Sequence, residues 1–250
     1  MLGKPPRLSK SRADRYLAER GHAQSRAQAR AAIETGKVRA DGAVVEKPAQ
    51  MLREGARIEF ERAHPYVSRG ALKLIAALDH FQLSPKARVC LDLGASTGGF
   101  TEVLLERGGR RVYAVDVGHG QLHSSLKADR RVLSLEGVNG RSLSRRQVPE
   151  PVDAIVADVS FISLTLVLAP ALKLANVDAW LIALVKPQFE VGARMIGKGG
   201  IVRDAAAREG AVRAVVDWLT SQHWRVAGHC ESPIAGGSGN IEYLIAARRE

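Results

Sequence analysis

The chain has only two cysteines among its 250 residues, Cys90 and Cys230, each inside an apolar strand-like run and far from the other. That excludes a Cys-x-x-Cys metal motif and a disulfide framework, and it suits a reducing compartment. A membrane-spanning run is missing too. A span needs roughly 18 to 20 apolar residues, and the best stretch, residues 164–175, is interrupted by Thr165, Pro170 and Lys173. The opening MLGKPPRLSKSR is basic but lacks the apolar segment and small-residue cleavage site of an export signal. The expected location is therefore the cytoplasm, with no membrane insertion.

What is present is apolar content of 46%, enough for a substantial core, and a formal net charge of +11. Such an excess points to a polyanionic partner, either nucleic acid or an anionic membrane surface. It is unevenly spread. Residues 1–63 hold 14 Lys/Arg against 8 Asp/Glu, so about a quarter of the chain carries just over half of the excess.

Within that quarter, Ala13, Tyr16 and Leu17 fall at helical spacing and Gly21 follows where a helix would end. Ser25 is placed to cap a second helix that buries Ala29 and Ile33 and stops at Gly36, with Arg26 and Arg30 on one face. Val38, an Asp41-Gly42 turn and Val44-Val45 read as a hairpin, and a last strand is expected over 57–60. A basic helix face can be no more than a solvated surface. The spacing Ser25-Arg26, Ala29, Ile33, Gly36, Val38, Gly42, Pro48, Gly55, Ile58, however, resembles the S-four-type RNA-binding domain over roughly residues 7–60. It departs at Ala56, where that family often has Asp. The resemblance implies a grip on structured RNA through phosphates and shape. Candidate contacts are Arg7, Arg12, Arg26 and Arg30, with Arg69 and Lys198 further along.

The expected domains are 1–60 and 66–250, joined by a polar linker at 61–65. Beyond the linker, long helical stretches alternate with apolar strands, the pattern of parallel βαβ architecture. Seven strands are expected, at 88–93, 111–116, 132–135, 152–158, 180–185, 226–231 and 241–247, with helices near 69–79, 100–107, 164–174 and 205–222, the last capped by Asp204. The predicted fold is a Rossmann-like α/β domain with a seven-stranded, mostly parallel sheet, preceded by a small α+β domain.

The first of these strands runs into LDLGASTGGF, a glycine-rich loop outside a strand's carboxyl end, where open α/β sheets bind ligands. A dinucleotide fingerprint would want Gly-x-Gly at 94 and 96, but Ser96 takes the second place, and no Gly-Lys-Ser/Thr follows. With Asp116 ending the next strand as an acceptor for ribose hydroxyls, the loop suits a nucleoside cofactor such as S-adenosylmethionine. Further along, Asp158 and Lys186 follow core strands, Glu242 opens the last one and Lys73 lies on the helix before the first. A structural ion-pair network would account for four such residues equally well. His119 and His123, four apart with no third ligand, read as a surface helix, and Asn139 as a turn residue near the cofactor.

The segments YVSRGALKL, LDLGASTGGF, ADVSFISL, VKPQFE, GKGGIVRD and GNIEYL resemble the TlyA family of haemolysin-named proteins, whose catalytic half is similar to FtsJ-type ribose methyltransferases. This resemblance covers nearly the whole chain. It implies that Lys73, Asp158, Lys186 and Glu242 form a catalytic Lys-Asp-Lys-Glu tetrad and that Gly94, Ser96, Gly98, Gly99, Phe100 and Asp116 line the cofactor pocket. It further implies transfer of a methyl group to a cytidine ribose 2′-hydroxyl in 16S and/or 23S ribosomal RNA, by a monomer acting on ribosomal subunits without a metal. A base-directed methyltransferase would often carry Asn/Asp-Pro-Pro-Tyr or catalytic cysteines, neither of which is seen. Two rival functions are a non-catalytic RNA-binding or ribosome-assembly protein and a membrane-active haemolysin.

Overall fold

The computed structural model describes residues 10–23, 25–236 and 239–250, so the candidate contact Arg7 lies outside the described residues. The chain forms two compact units that divide between Arg69 and Gly70, a few residues beyond the expected linker.

The first unit contains β1 (Lys10–Arg12), α1 (Ala13–Glu19), α2 (Arg26–Glu34), β2 (Val38–Ala40), β3 (Ala43–Val44), β4 (Met51–Arg53) and β5 (Ile58–Phe60). The Ser25 side chain caps α2 by accepting from the Gln28 N–H at 3.2 Å. Asp41 and Gly42 both take positive φ, 53° and 83°, which is the turn a two-residue hairpin needs to match the twist of its strands. β2 pairs antiparallel with β3 and β5, while β1 and β4 form a separate two-stranded sheet that periodicity did not reveal. Tyr16, Leu17, Ile33, Val38, Val45 and Leu52 make the core.

In the second unit the elements are α3 (Gly70–His80), β6 (Val89–Leu93), α4 (Gly99–Glu106), β7 (Arg111–Asp116), α5 (Ser124–Lys127), β8 (Val132–Glu136), β9 (Val152–Ala157), α6 (Leu164–Leu172), β10 (Ala175–Val185), α7 (Pro187–Glu190), α8 (Ala205–Ser221), β11 (Trp224–Glu231) and β12 (Tyr243–Arg249). They build one seven-stranded sheet in the order β11-β12-β10-β9-β6-β7-β8. The neighbours β10, β9, β6, β7 and β8 run parallel, and β12 inserts antiparallel between β10 and β11. β6 is buried at every position, as expected for a central parallel strand covered on both faces. Helix α8 starts where Asp204 accepts from the Ala206 and Ala207 N–H groups at 2.8 and 3.3 Å. The strand order reverses between β6 and β9, and this switch point opens a crevice outside the strands' carboxyl ends.

Candidate active site

The loop after β6 closes tightly on β9. Gly94 has φ +81°, and a Cβ there would sit 2.6 Å from the Asp158 carbonyl oxygen, so only glycine allows the two strand ends to come together. Next to it the Ser96 N–H donates to Asp116 Oδ2 at 2.8 Å and the Gly118 N–H to Asp116 Oδ1 at 2.7 Å. A carboxylate has about four acceptor sites, so Asp116 is held in orientation by two backbone donors and keeps acceptor capacity for a ligand. Gly94, Ser96, Asp116, Asn139 and Asp158 are among the residues around a cavity of about 560 Å³, within the range of small-molecule sites. Gly98, Gly99 and Phe100 do not line it. Gly98 instead gives room to the Leu122 and Leu126 side chains, Gly99 begins α4, and Phe100 is buried.

The four charged residues resolve into two ion pairs on one edge of the sheet. Lys73 Nζ lies 2.5 Å from Glu242 Oε2, and Lys186 Nζ lies 2.6 Å from Asp158 Oδ1. Lys73, Lys186 and Glu242 are buried. The antiparallel insertion of β12 explains the convergence. Val185 is the register partner of Tyr243, so Lys186 at the end of β10 and Glu242 before β12 lie opposite each other on neighbouring strands. Buried ion pairs are weak contributors to stability, because apolar residues of similar volume usually serve as well. Two of them, one with its carboxylate on the cavity wall, therefore call for a chemical explanation.

Sequence reasoning missed several residues here. The Ser160 hydroxyl accepts a hydrogen bond from Lys186 Nζ at 2.8 Å and lies on the cavity wall. Phe161 is 90% exposed, has φ +64° and packs against Phe189 with ring centroids 5.2 Å apart. A bulky residue at positive φ is a genuine outlier, and nothing in hydrophobic periodicity signals it. Glu190 reaches back from α7 to the start of α6, accepting from Ser163 Oγ and the Leu164 N–H, each at 2.7 Å. Asp92 is fully buried beneath the glycine loop and accepts from the Thr101 hydroxyl at 2.6 Å. Its signal was the polar residue inside the apolar run VCLDL.

Two expectations need correction. His119 and His123 do not share a helix face: His119 is in the loop after β7, and His123 caps α5 by accepting from the Ser125 N–H. Arg26 does not simply present a free charge beside Arg30, because it is tied at 2.8 Å to Asp14, as is Arg12 at 3.1 Å. Asp14 is fully buried, so one carboxylate holds two guanidinium groups at the surface of the first unit. Arg30 is exposed, Arg69 pairs with Glu34 at 3.4 Å, and Lys198 is exposed in the turn closed by the Gly197–Ile201 bridge. Asn139 starts a short turn by accepting from the Arg141 N–H and also borders the cavity.

The FtsJ-like methyltransferase family model matches residues 66–249, and the S4 domain model matches residues 11–58. A Mycobacterium tuberculosis protein named 16S/23S rRNA (cytidine-2′-O)-methyltransferase TlyA is 46% identical over 245 residues, covering 96% of this chain and 91% of that one. The chain belongs to the TlyA family of FtsJ-like methyltransferases. Hemolysin A of Brachyspira hyodysenteriae, 39% identical over 236 residues, is covered to 98% by the match and covers 93% of this chain. A solved structure named as a hemolysin of Streptococcus thermophilus has TM-score 0.78 and 38% identity, covering 97% of this TlyA-family chain and 89% of its own. A Listeria monocytogenes structure described as an S-adenosylmethionine-dependent methyltransferase shares the fold at 13% identity and TM-score 0.53, over 71% of this chain and 100% of that one.

Proposed function

We propose that this TlyA-family protein is an S-adenosylmethionine-dependent methyltransferase acting on a ribose 2′-hydroxyl, most specifically of cytidine in 16S or 23S ribosomal RNA. The observation that carries the reading is the Lys186–Asp158 contact, whose carboxylate lies on the cavity wall, with the buried Lys73–Glu242 pair on the neighbouring strand. The M. tuberculosis relative's name supports the substrate, and the S4 match together with the +11 charge supports an RNA partner.

The cavity residues fit the cofactor. Asp116 offers oriented acceptor sites to a ribose diol, Val117 beside it is 71% exposed and offers an apolar face to a purine, and Gly94 lines the cavity next to them. When bound, S-adenosylmethionine supplies a methyl group already activated by its sulfonium. The protein must then place the 2′-oxygen and take its proton, since a ribose hydroxyl is a poor nucleophile at neutral pH. Lys186, as the neutral amine, is the group for that task, with Asp158 placed to balance the ammonium that forms when the proton is taken; Lys73 and Glu242 form a second pair. The exposed Phe161 ring, backed by Phe189, offers a stacking face to an unpaired base. A non-catalytic RNA binder or a membrane-active protein would have no use for this arrangement, and no helix among the described residues is long and apolar enough to cross a membrane.

Incubation of the protein with each ribosomal subunit and labelled cofactor, followed by mass-spectrometric mapping, should locate a single type of 2′-O-methylated cytidine. Lys186→Ala and Asp158→Ala should abolish transfer while RNA binding persists. Near-normal turnover in either variant removes the tetrad assignment.

A further inference from the structure

The two oxygens beside Lys186 differ in what they can do. Asp158 Oδ1 is 2.6 Å from Nζ, yet that oxygen has no hydrogen-bond partner among the described residues. The approach is off the angle a hydrogen bond requires, so the carboxylate contributes charge with little direction. The Ser160 hydroxyl, in contrast, accepts a directed hydrogen bond from the same nitrogen at 2.8 Å. A lysine carries its nitrogen on a flexible four-carbon stem with rotatable donors, and charge attraction alone would let that nitrogen swing about the carboxylate.

We infer that Ser160 is a positioning residue that aims Lys186 Nζ at the ribose 2′-oxygen, an inference that rests on the proposed methyl transfer. An amine nitrogen is tetrahedral. With one N–H held by Ser160 and Asp158 contributing charge without a directed bond, the nitrogen's lone pair is left for the substrate. In the reaction the 2′-O–H bond breaks as an N–H bond forms on Lys186. The oxygen bonds the methyl group as the carbon–sulfur bond breaks, and that electron pair stays on sulfur. The vertex that receives the proton is the one Ser160 leaves open.

Ser160 is itself held from both sides. Before it lies the end of β9, where the Asp158 N–H donates to the Leu93 carbonyl at 2.9 Å. After it comes Phe161 at positive φ, then Ser163 and Leu164, both fastened by Glu190. Strained backbone that persists only because its surroundings over-determine it is a recurrent property of functional sites, and here it sets the hydroxyl's position.

Ser160→Ala and Ser160→Thr are to be compared with wild type and Lys186→Ala, on the full chain with the ribosomal subunit that wild type modifies. Ser160→Ala is expected to lower kcat roughly 30-fold, as for a reacting group displaced by a fraction of an ångström. Its KM for the subunit and its calorimetric Kd for S-adenosylmethionine should stay within about twofold, and Ser160→Thr should recover most of the rate. Unchanged kcat in Ser160→Ala beside an inactive Lys186→Ala overturns the inference and leaves the proposed function standing. So does a loss confined to KM or to cofactor Kd, which makes Ser160 a binding group, or a threonine variant as slow as the alanine one. Absence of transfer by wild type on either subunit overturns the proposed function instead.

Discussion

Two buried aspartates show how a neighbour decides what a carboxyl group does. Burial pushes Asp14 upward, but hydrogen bonds and charge from Arg12 and Arg26 outweigh it and bring the group down to about 2. Burial pushes Asp92 up to about 7, because a Thr101 hydroxyl offsets it only in part and the Asp158 charge adds to it. One Asp92 oxygen has no hydrogen-bond partner among the described residues, which leaves its ionised form poorly solvated. Since the folded state holds this proton more tightly than the unfolded chain, Asp92 destabilises the fold progressively as pH rises from about 4 to about 7. Asp92→Asn should therefore match wild type in Tm near pH 4 and exceed it increasingly towards pH 8. A Tm difference that is constant across this range removes the explanation. At Gly94 the added Cβ of Gly94→Ala would meet the Asp158 carbonyl oxygen at 2.6 Å at a backbone angle alanine resists. Calorimetry should show cofactor affinity reduced by roughly tenfold or more, since about 1.4 kcal/mol of strain or displacement is enough for that factor; unchanged affinity would mean that the loop accommodates the methyl group.

At the scale of elements, caps explain why helices begin where they do. Ser25 and Asp204 were legible as caps because a short polar side chain precedes each periodic run, and both bond backbone N–H groups of the first turn. The start of α6 was not legible in the same way. Its own Ser163 makes no side-chain cap, and the Leu164 N–H is satisfied by Glu190 from another element. Burial pushes the Glu190 carboxyl above its usual range, with the Leu164 and Ser163 hydrogen bonds opposing. Glu190→Ala should cost about 1 to 3 kcal/mol in denaturant unfolding, the range for a buried donor left unsatisfied, and should slow methyl transfer by loosening the loop that carries Ser160. Asp204→Ala should cost about 1 kcal/mol and leave transfer unchanged, because its hydrogen bonds serve the first turn of α8. Equal catalytic defects in these two variants would show that general destabilisation, and not the loop, is responsible.

For the whole molecule, the +11 charge predicts RNA binding that weakens steeply with salt. Arg30→Gln should weaken binding and reduce the slope of log affinity against log salt by roughly 0.7 to 0.9, as for one lost phosphate contact. An unchanged slope removes Arg30 from the interface. How far the sequence goes is clearest by comparing the strands with the site. Periodicity, turn residues and the glycine loop marked all seven strands of the large sheet, their alternation with helices and the end at which a ligand binds, because each of these is written in neighbouring residues. β10 nevertheless begins at Ala175, ahead of the apolar run that signalled it, and β1 and β4 are too short to carry a period. Which lysine pairs with which carboxylate was beyond local reading. Lys73 and Glu242 are 169 positions apart, and they meet only because β12 turns back between β10 and β11 to lay Glu242 opposite Lys186. The burial of Asp14, the Glu190 cap and the backbone of Phe161 likewise depend on residues distant in the chain. Local propensities and spacing are set by bonded neighbours and so are carried by the sequence itself, whereas the partners of buried charges are chosen by sheet order and packing, which exist only once the chain has folded.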